Sequence, residues 1–264
     1  MNAQAIHRRH PAVFVVLLIV GLIAMGSLYA LVAPGRADAG APVATASGDD
    51  VSVGKQLFLT NCASCHGSNG EGTKYGPSLV GVGAASVDFQ VGTGRMPLAG
   101  PGVQAQRKNP QFDQKQIDQL AAYVDSLGPG PAVPDSKYAS GVGGNIARGG
   151  EIFRVNCAMC HNFAGSGGAL TRGKFAPPLH NIEGKHIYEA MVTGPQSMPV
   201  FNDQNLNPEA KRDVIAYLHN LDKNENHGGH ALGNLGPVGD GYFLWGLGIP
   251  IMIGAAVWLT RKAA

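Results

Sequence analysis

The chain of 264 residues carries 20 Lys and Arg against 18 Asp and Glu, a formal net charge of +2. It therefore lacks the basic excess with which a nucleic-acid binder holds phosphates, and no nucleic-acid partner is expected. Charged residues make up only 14% of it, and 38 Gly with 17 Pro foretell many loops and few long regular elements.

The first predicted element is an uncharged run over 11–32. As a helix rising ~1.5 Å per residue, it is long enough for the ~30 Å hydrocarbon core of a membrane. Two readings stand, a retained transmembrane helix or signal anchor, and a cleaved signal peptide. The run is longer than the roughly 7–15 residues of a signal core, yet Ala37-Asp38-Ala39 has the small-x-small form of a cleavage site. Arg8 and Arg9 precede it, and positive charge stays cytoplasmic, so the chain beyond residue 32 should be outside.

A unit over 51–128 comes next and contains Cys62-Ala63-Ser64-Cys65-His66. It closes on an amphipathic helix near 114–127, with Ile117, Leu120, Ala121 and Val124 at helical spacing. Gly128, Pro129, Gly130, Pro131 and Pro134 then open a linker, taken as 129–146. The second unit, 147–223, repeats the first. A shift of 95 positions superposes Gly54 on Gly149, Phe58 on Phe153, Asn61 on Asn156 and the motif on Cys157-Ala158-Met159-Cys160-His161. Its closing helix is expected near 208–221. A Gly-rich tail, 224–240, leads to a second uncharged run, 241–260, with Pro250 inside it and Arg261 and Lys262 after it. Both termini would then be cytoplasmic, with the units outside the cell membrane and two spans in it.

The four cysteines fall into two C-x-x-C-H motifs with none left over. Two thiols on one helical turn can add to the two vinyl groups of a porphyrin, and the next residue, His, then reaches the iron. Cys62, Cys65, Cys157 and Cys160 are thus the candidate attachment points for two covalently bound haem c groups, with His66 and His161 as iron ligands. Zinc could also use two C-x-x-C pairs, but it does not account for a His after each, and the gap from Cys65 to Cys157 far exceeds a zinc ribbon's linker. Seven Met are available for the other axial position. Met1, Met25 and Met252 lie before or within the apolar runs, and Met159 lies inside a motif. Met96, Met191 and Met198 remain. Met96 is alone in its unit, and Met198 shares its following Pro, whereas Met191 also suits core packing.

The two units resemble class I cytochrome c, in which a first helix bearing Gly-x-x-x-Phe crosses a last helix bearing an aromatic residue. The resemblance implies a mainly α fold of two tandem class I cytochrome c domains with Gly-rich loops. It pairs Gly54 and Phe58 with Tyr123, and Gly149 and Phe153 with Tyr217. It favours Met96 and Met198 as ligands, since the family often places Pro after the Met. It likens Pro77 and Pro177 to the proline whose carbonyl orients the ligand His. Arg95 is either a propionate partner or solvated. His180 is a lesser ligand candidate, and His186, His219, His227 and His230 are read as solvated.

The layout of apolar segment, two haem units, Gly-Pro tail and final helix resembles the dihaem cytochrome c subunit of actinobacterial-type cytochrome bc complexes. That implies an electron-transfer subunit of a quinol–cytochrome c reductase, a translocase, with no substrate chemistry on this chain alone. Its partners would be a cytochrome b subunit, a Rieske iron–sulfur subunit and a cytochrome c oxidase. The alternatives are a free-standing membrane-bound dihaem carrier or a subunit of another dihaem oxidoreductase.

Overall fold

The computed structural model describes residues 11–32, 47–223 and 241–263. Arg8 and Arg9, the 37–39 cleavage form, and the 224–240 tail with His227 and His230 lie outside the described residues. The N-terminal run is one helix, α1, Pro11–Val32. Its described side chains, Val15–Ser27, form a shorter apolar helix, and Gly241–Lys262 is the one helix among the described residues long and apolar enough to cross a membrane. In the C-terminal helix a π-helical stretch, Leu244–Gly248, stands immediately before Ile249 and Pro250. A widened turn is a usual accommodation for a proline that clashes with the turn before it.

The first unit is built from α2 (Gly48–Asn61), α3 (Ala63–His66), α4 (Ala84–Gly92) and α5 (Gln114–Ser126). Ser47 caps α2 by accepting from the Asp50 amide, and Asp49 and Asp50 in the first turn suit the positive end of the helix dipole. Asp113 and Gln116 form a reciprocal capping box at the start of α5. Helices α2 and α5 cross where Gly54 meets the backbone of Gln119, so closely that a Cβ on Gly54 would collide with the Gln119 carbonyl. Just beyond, the rings of Phe58 and Tyr123 meet at 5.1 Å between centroids. These residues join Val87, Val91, Ile117, Leu120 and Val124 in one buried cluster.

The second unit repeats that plan with α7 (Ile146–Asn156), α8 (Ala158–His161), α9 (Gly184–Thr193) and α10 (Pro208–Lys223). Gly149 lies against the Asp213 backbone, and Phe153 meets Tyr217 at 5.5 Å. The crossing expected from the resemblance is present in both units. Several elements lay beyond the sequence reading. Helices α4 and α9 are short, yet they bring Val87 and Val91, and Ile187 and Met191, into the cores. A two-residue antiparallel pairing of β1 (Gly168–Ala169) with β2 (Phe175–Ala176) occurs in the second unit. Within 129–146, Ser136–Ala139 forms a helical turn, α6, whose Ala139 is buried in the second core.

Candidate functional site

Each C-x-x-C-H motif starts where a long helix ends. The Cys62 amide still donates to Phe58 O of α2, and the chain then re-forms one turn in which the His66 amide donates to Cys62 O at 3.0 Å. The same break and restart occur at Cys157 and His161. One turn places both thiols and the imidazole on neighbouring faces. Burial pushes the Cys62 thiol up to about 11 and the Cys157 thiol up to about 12, so both are protonated near neutral pH when free.

The decisive geometry is at the histidines. His66 Nδ1 lies 2.8 Å from Pro77 O, and His161 Nδ1 lies 3.0 Å from Pro177 O. A carbonyl only accepts, so Nδ1 carries the proton and donates it, leaving the Nε2 lone pair free for a metal. Burial holds the His161 pKa below the ordinary imidazole value and so favours the neutral, ligating form. Close backbone passage supports the arrangement. A Cβ on Gly76 would come within 2.8 Å of Cys65 O and 3.1 Å of His66 Cε1, and one on Gly168 within 2.8 Å of Cys160 O. The donor set of two adjacent thiols and one tautomerically fixed imidazole fits a covalently attached haem in each unit.

The methionines sort by burial. Met96 is partly buried and packs on the first core cluster together with Cys62 and Ala63, and Met198 packs on the second together with Cys157 and Ala158. Met191 is 2% exposed within the second core, and Met159 is 86% exposed. Each Met-Pro candidate thus shares a cluster with the first cysteine of its own motif.

Other residues differ from expectation. Arg95 is neither extended into solvent nor free: Nη1 donates to Thr93 Oγ1 and the guanidinium stacks 4.7 Å from the Phe89 ring centroid. His180 Nδ1 is held 2.8 Å from Asp222 Oδ1. His219 is partly buried, with Nε2 at 3.2 Å from Ile182 O. His186, read as solvated, has a side chain only 12% exposed, because α4 of the first unit packs directly on α9 of the second. At that junction Lys185 Nζ donates to both oxygens of Asp88 at 3.0 Å, and the Glu189 carboxyl is fully buried and pushed up to about 9, chiefly by burial. The sequence pattern did not reveal this cluster, since each residue looks ordinary on its own helix.

Comparisons with known proteins agree with this doubled architecture. The cytochrome c family model matches residues 51–128, and the model for cytochrome c oxidase, cbb3-type, subunit III matches residues 144–218. The chain is 44% identical over 257 residues to the cytochrome bc1 complex cytochrome c subunit of Mycobacterium leprae, covering 94% of this chain and 87% of that one. It is 41% identical over 273 residues to the subunit of that description in Corynebacterium diphtheriae, covering 97% and 95%. A cbb3-type cytochrome c oxidase subunit of Azospirillum is 29% identical over 189 residues, covering 64% and 61%.

Proposed function

Since the chain belongs to the cytochrome c subunits of the cytochrome bc1 complex, an electron carrier with two covalently bound haem c groups, we propose that it relays electrons from a Rieske iron–sulfur centre to a cytochrome c oxidase. A bound haem supplies a reversible one-electron iron couple. The rest is the work of this chain. Cys62 and Cys65 tether one haem, and Cys157 and Cys160 the other. His66 and His161 offer Nε2 to the iron while Pro77 and Pro177 fix their ring orientation. Met96 and Met198 would be the further ligands of the two groups, and their thioethers would raise the potential. A group held by side chains of the protein alone would leave no room for substrate and would suit electron transfer. The observation that carries the reading is the twofold presence of a donated Nδ1 on a two-cysteine turn, each with a Met packed on the same core.

The membrane reading belongs with it. Gly241–Lys262 anchors the chain, α1 supplies a second span, and both ends lie in the cytoplasm, with the haem units on the other side. A cytochrome b subunit, the Rieske subunit and the oxidase are then reachable at one membrane face.

Affinity purification through a tag on this chain in mild detergent tests the proposal. The expected product contains b-type haem, a Rieske protein and oxidase subunits, and oxidises quinol with reduction of oxygen. A product with c-type haem alone under several mild detergents would overturn it.

A further inference from the structure

We propose that Asp88 of α4 with His186 and Glu189 of α9 form a binding site for a zinc-class divalent cation that ties the two haem units together. The ligand atoms of these three side chains all lie within 4.8 Å of one another. A tetrahedral zinc with bonds of about 2.0–2.2 Å needs its ligand atoms about 3.3–3.6 Å apart, so side-chain movement of roughly an ångström completes the site. One imidazole and two carboxylates are a zinc-type donor set, and three protein ligands leave a fourth position for water.

Several observations point to a ligand rather than to an accidental cluster. Glu189 is 0% exposed, and neither of its carboxyl oxygens has a hydrogen-bond partner among the described residues. A carboxyl buried in that way needs a proton or a cation to balance it, and here two further donors converge on it. Asp88 is 2% exposed and has lone pairs to spare beyond those taken by Lys185 Nζ. His186 turns Nδ1 toward Glu183 Oε2 at 3.9 Å, which leaves Nε2 on the Asp88 side. Nε2 and Asp88 Oδ1 both lie beside Gly92, where an added Cβ would meet them at 3.1 and 3.2 Å. A second carboxylate near the far ring nitrogen is the usual support of a metal-bound His.

The site also has an origin in the repeat. Asp88 and Glu189 each stand five residues after a glycine at the head of the equivalent helix, Gly83 and Gly184. Packing these helices together brings two equivalent carboxylates face to face. The second unit alone adds the imidazole, since the positions of Lys185 and His186 are Ala84 and Ala85 in the first. A cation bound here touches both units and so favours their docked arrangement by mass action.

The test uses the full chain with both haems, purified in detergent, stripped with a chelator and dialysed against zinc. The expected result is one zinc per chain, with a zinc-edge X-ray absorption spectrum showing a nitrogen/oxygen shell that includes one imidazole. In competition with a soluble zinc chelator, His186→Ala and Glu189→Gln should each weaken binding at least tenfold. A double variant of His227 and His230 to Ala should bind as the parent does. Haem content of two per chain verifies that each variant is folded. Glu189→Gln keeps the side chain's size, and the parent spectrum decides without any variant. Failure to retain zinc, a sulfur shell, or affinity unchanged in both cluster variants would overturn the proposal.

Discussion

At the scale of single residues, the haem sites rest on what each side chain is prevented from doing. His66 and His161 cannot present the wrong nitrogen, because Pro77 and Pro177 accept from Nδ1. Met96 is held partly buried on the same cluster as Cys62, which is compatible with the ligand role proposed for it. Met96→Ala is expected to lower the potential of one haem by on the order of 0.1 V, a modest part of the ~0.8 V range that axial ligands span. That haem should also begin to bind carbon monoxide. Redox titration with optical detection reads both effects, and an unchanged spectrum would remove Met96 as a ligand. Cys160→Ala should leave one normally attached haem per chain, measured by mass of the denatured protein; retention of two normal haems would contradict the attachment at Cys160. The two C-x-x-C-H motifs were legible because chemistry fixes their spacing to the residue. The cluster of Asp88, Lys185, His186 and Glu189 was not legible, since Asp88 on α4 stands 97 or more positions from the three residues of α9 that it meets.

Elements were legible in proportion to their length and to the strictness of their pattern. Helix α5 shows its apolar stripe in sequence, and α10 likewise runs Pro208–Lys223 where a helix was expected. Helices α4 and α9 escaped because nine and ten residues hold too few turns for a period to stand out between glycines. Their existence depends on tertiary packing against the long pair rather than on propensity. The crossing of the long pair is the firmest element-level feature, and its glycine can be tested. In Gly54→Ala or Gly149→Ala the new methyl would strike a carbonyl of the partner helix, Gln119 or Asp213, and backbone cannot yield as a side chain can. Each substitution should destabilise its unit by about 1–3 kcal/mol or more, as overpacking does. Chemical denaturation followed by haem absorbance would register the loss in the affected unit. Equal stability of the parent and both variants would mean that the helices can separate without cost.

For the whole molecule, the proposed relay would depend on the two haem units keeping a fixed spacing, since electron tunnelling weakens steeply with distance. Composition and periodicity say nothing about that docking, which is made by loops and by helix faces from different repeats. Among the described residues, side-chain hydrogen bonds join the units in three places. Besides Lys185 with Asp88, Gln196 Nε2 donates to Ala105 O at 3.1 Å, and the Gln104 amide bonds the Phe175 backbone twice. The Phe175 amide donates to Gln104 Oε1 at 2.9 Å, while Gln104 Nε2 donates to Phe175 O at 2.8 Å. A side chain from the first unit thus pairs with strand β2 of the second as another strand would. Gln104→Ala removes both bonds and leaves the haem ligands of both units untouched. A net ~0.5–1.5 kcal/mol for a hydrogen bond corresponds to exchange of the Phe175 amide hydrogen about two- to tenfold faster. Hydrogen exchange on the full chain measures this at one residue, with amides in the core of α10 as the internal reference. If Phe175 exchanges at the parental rate in the variant, the loop does not hold the second unit in solution. The spacing of the haems would then rest on the α4–α9 contact and the Gln196–Ala105 bond.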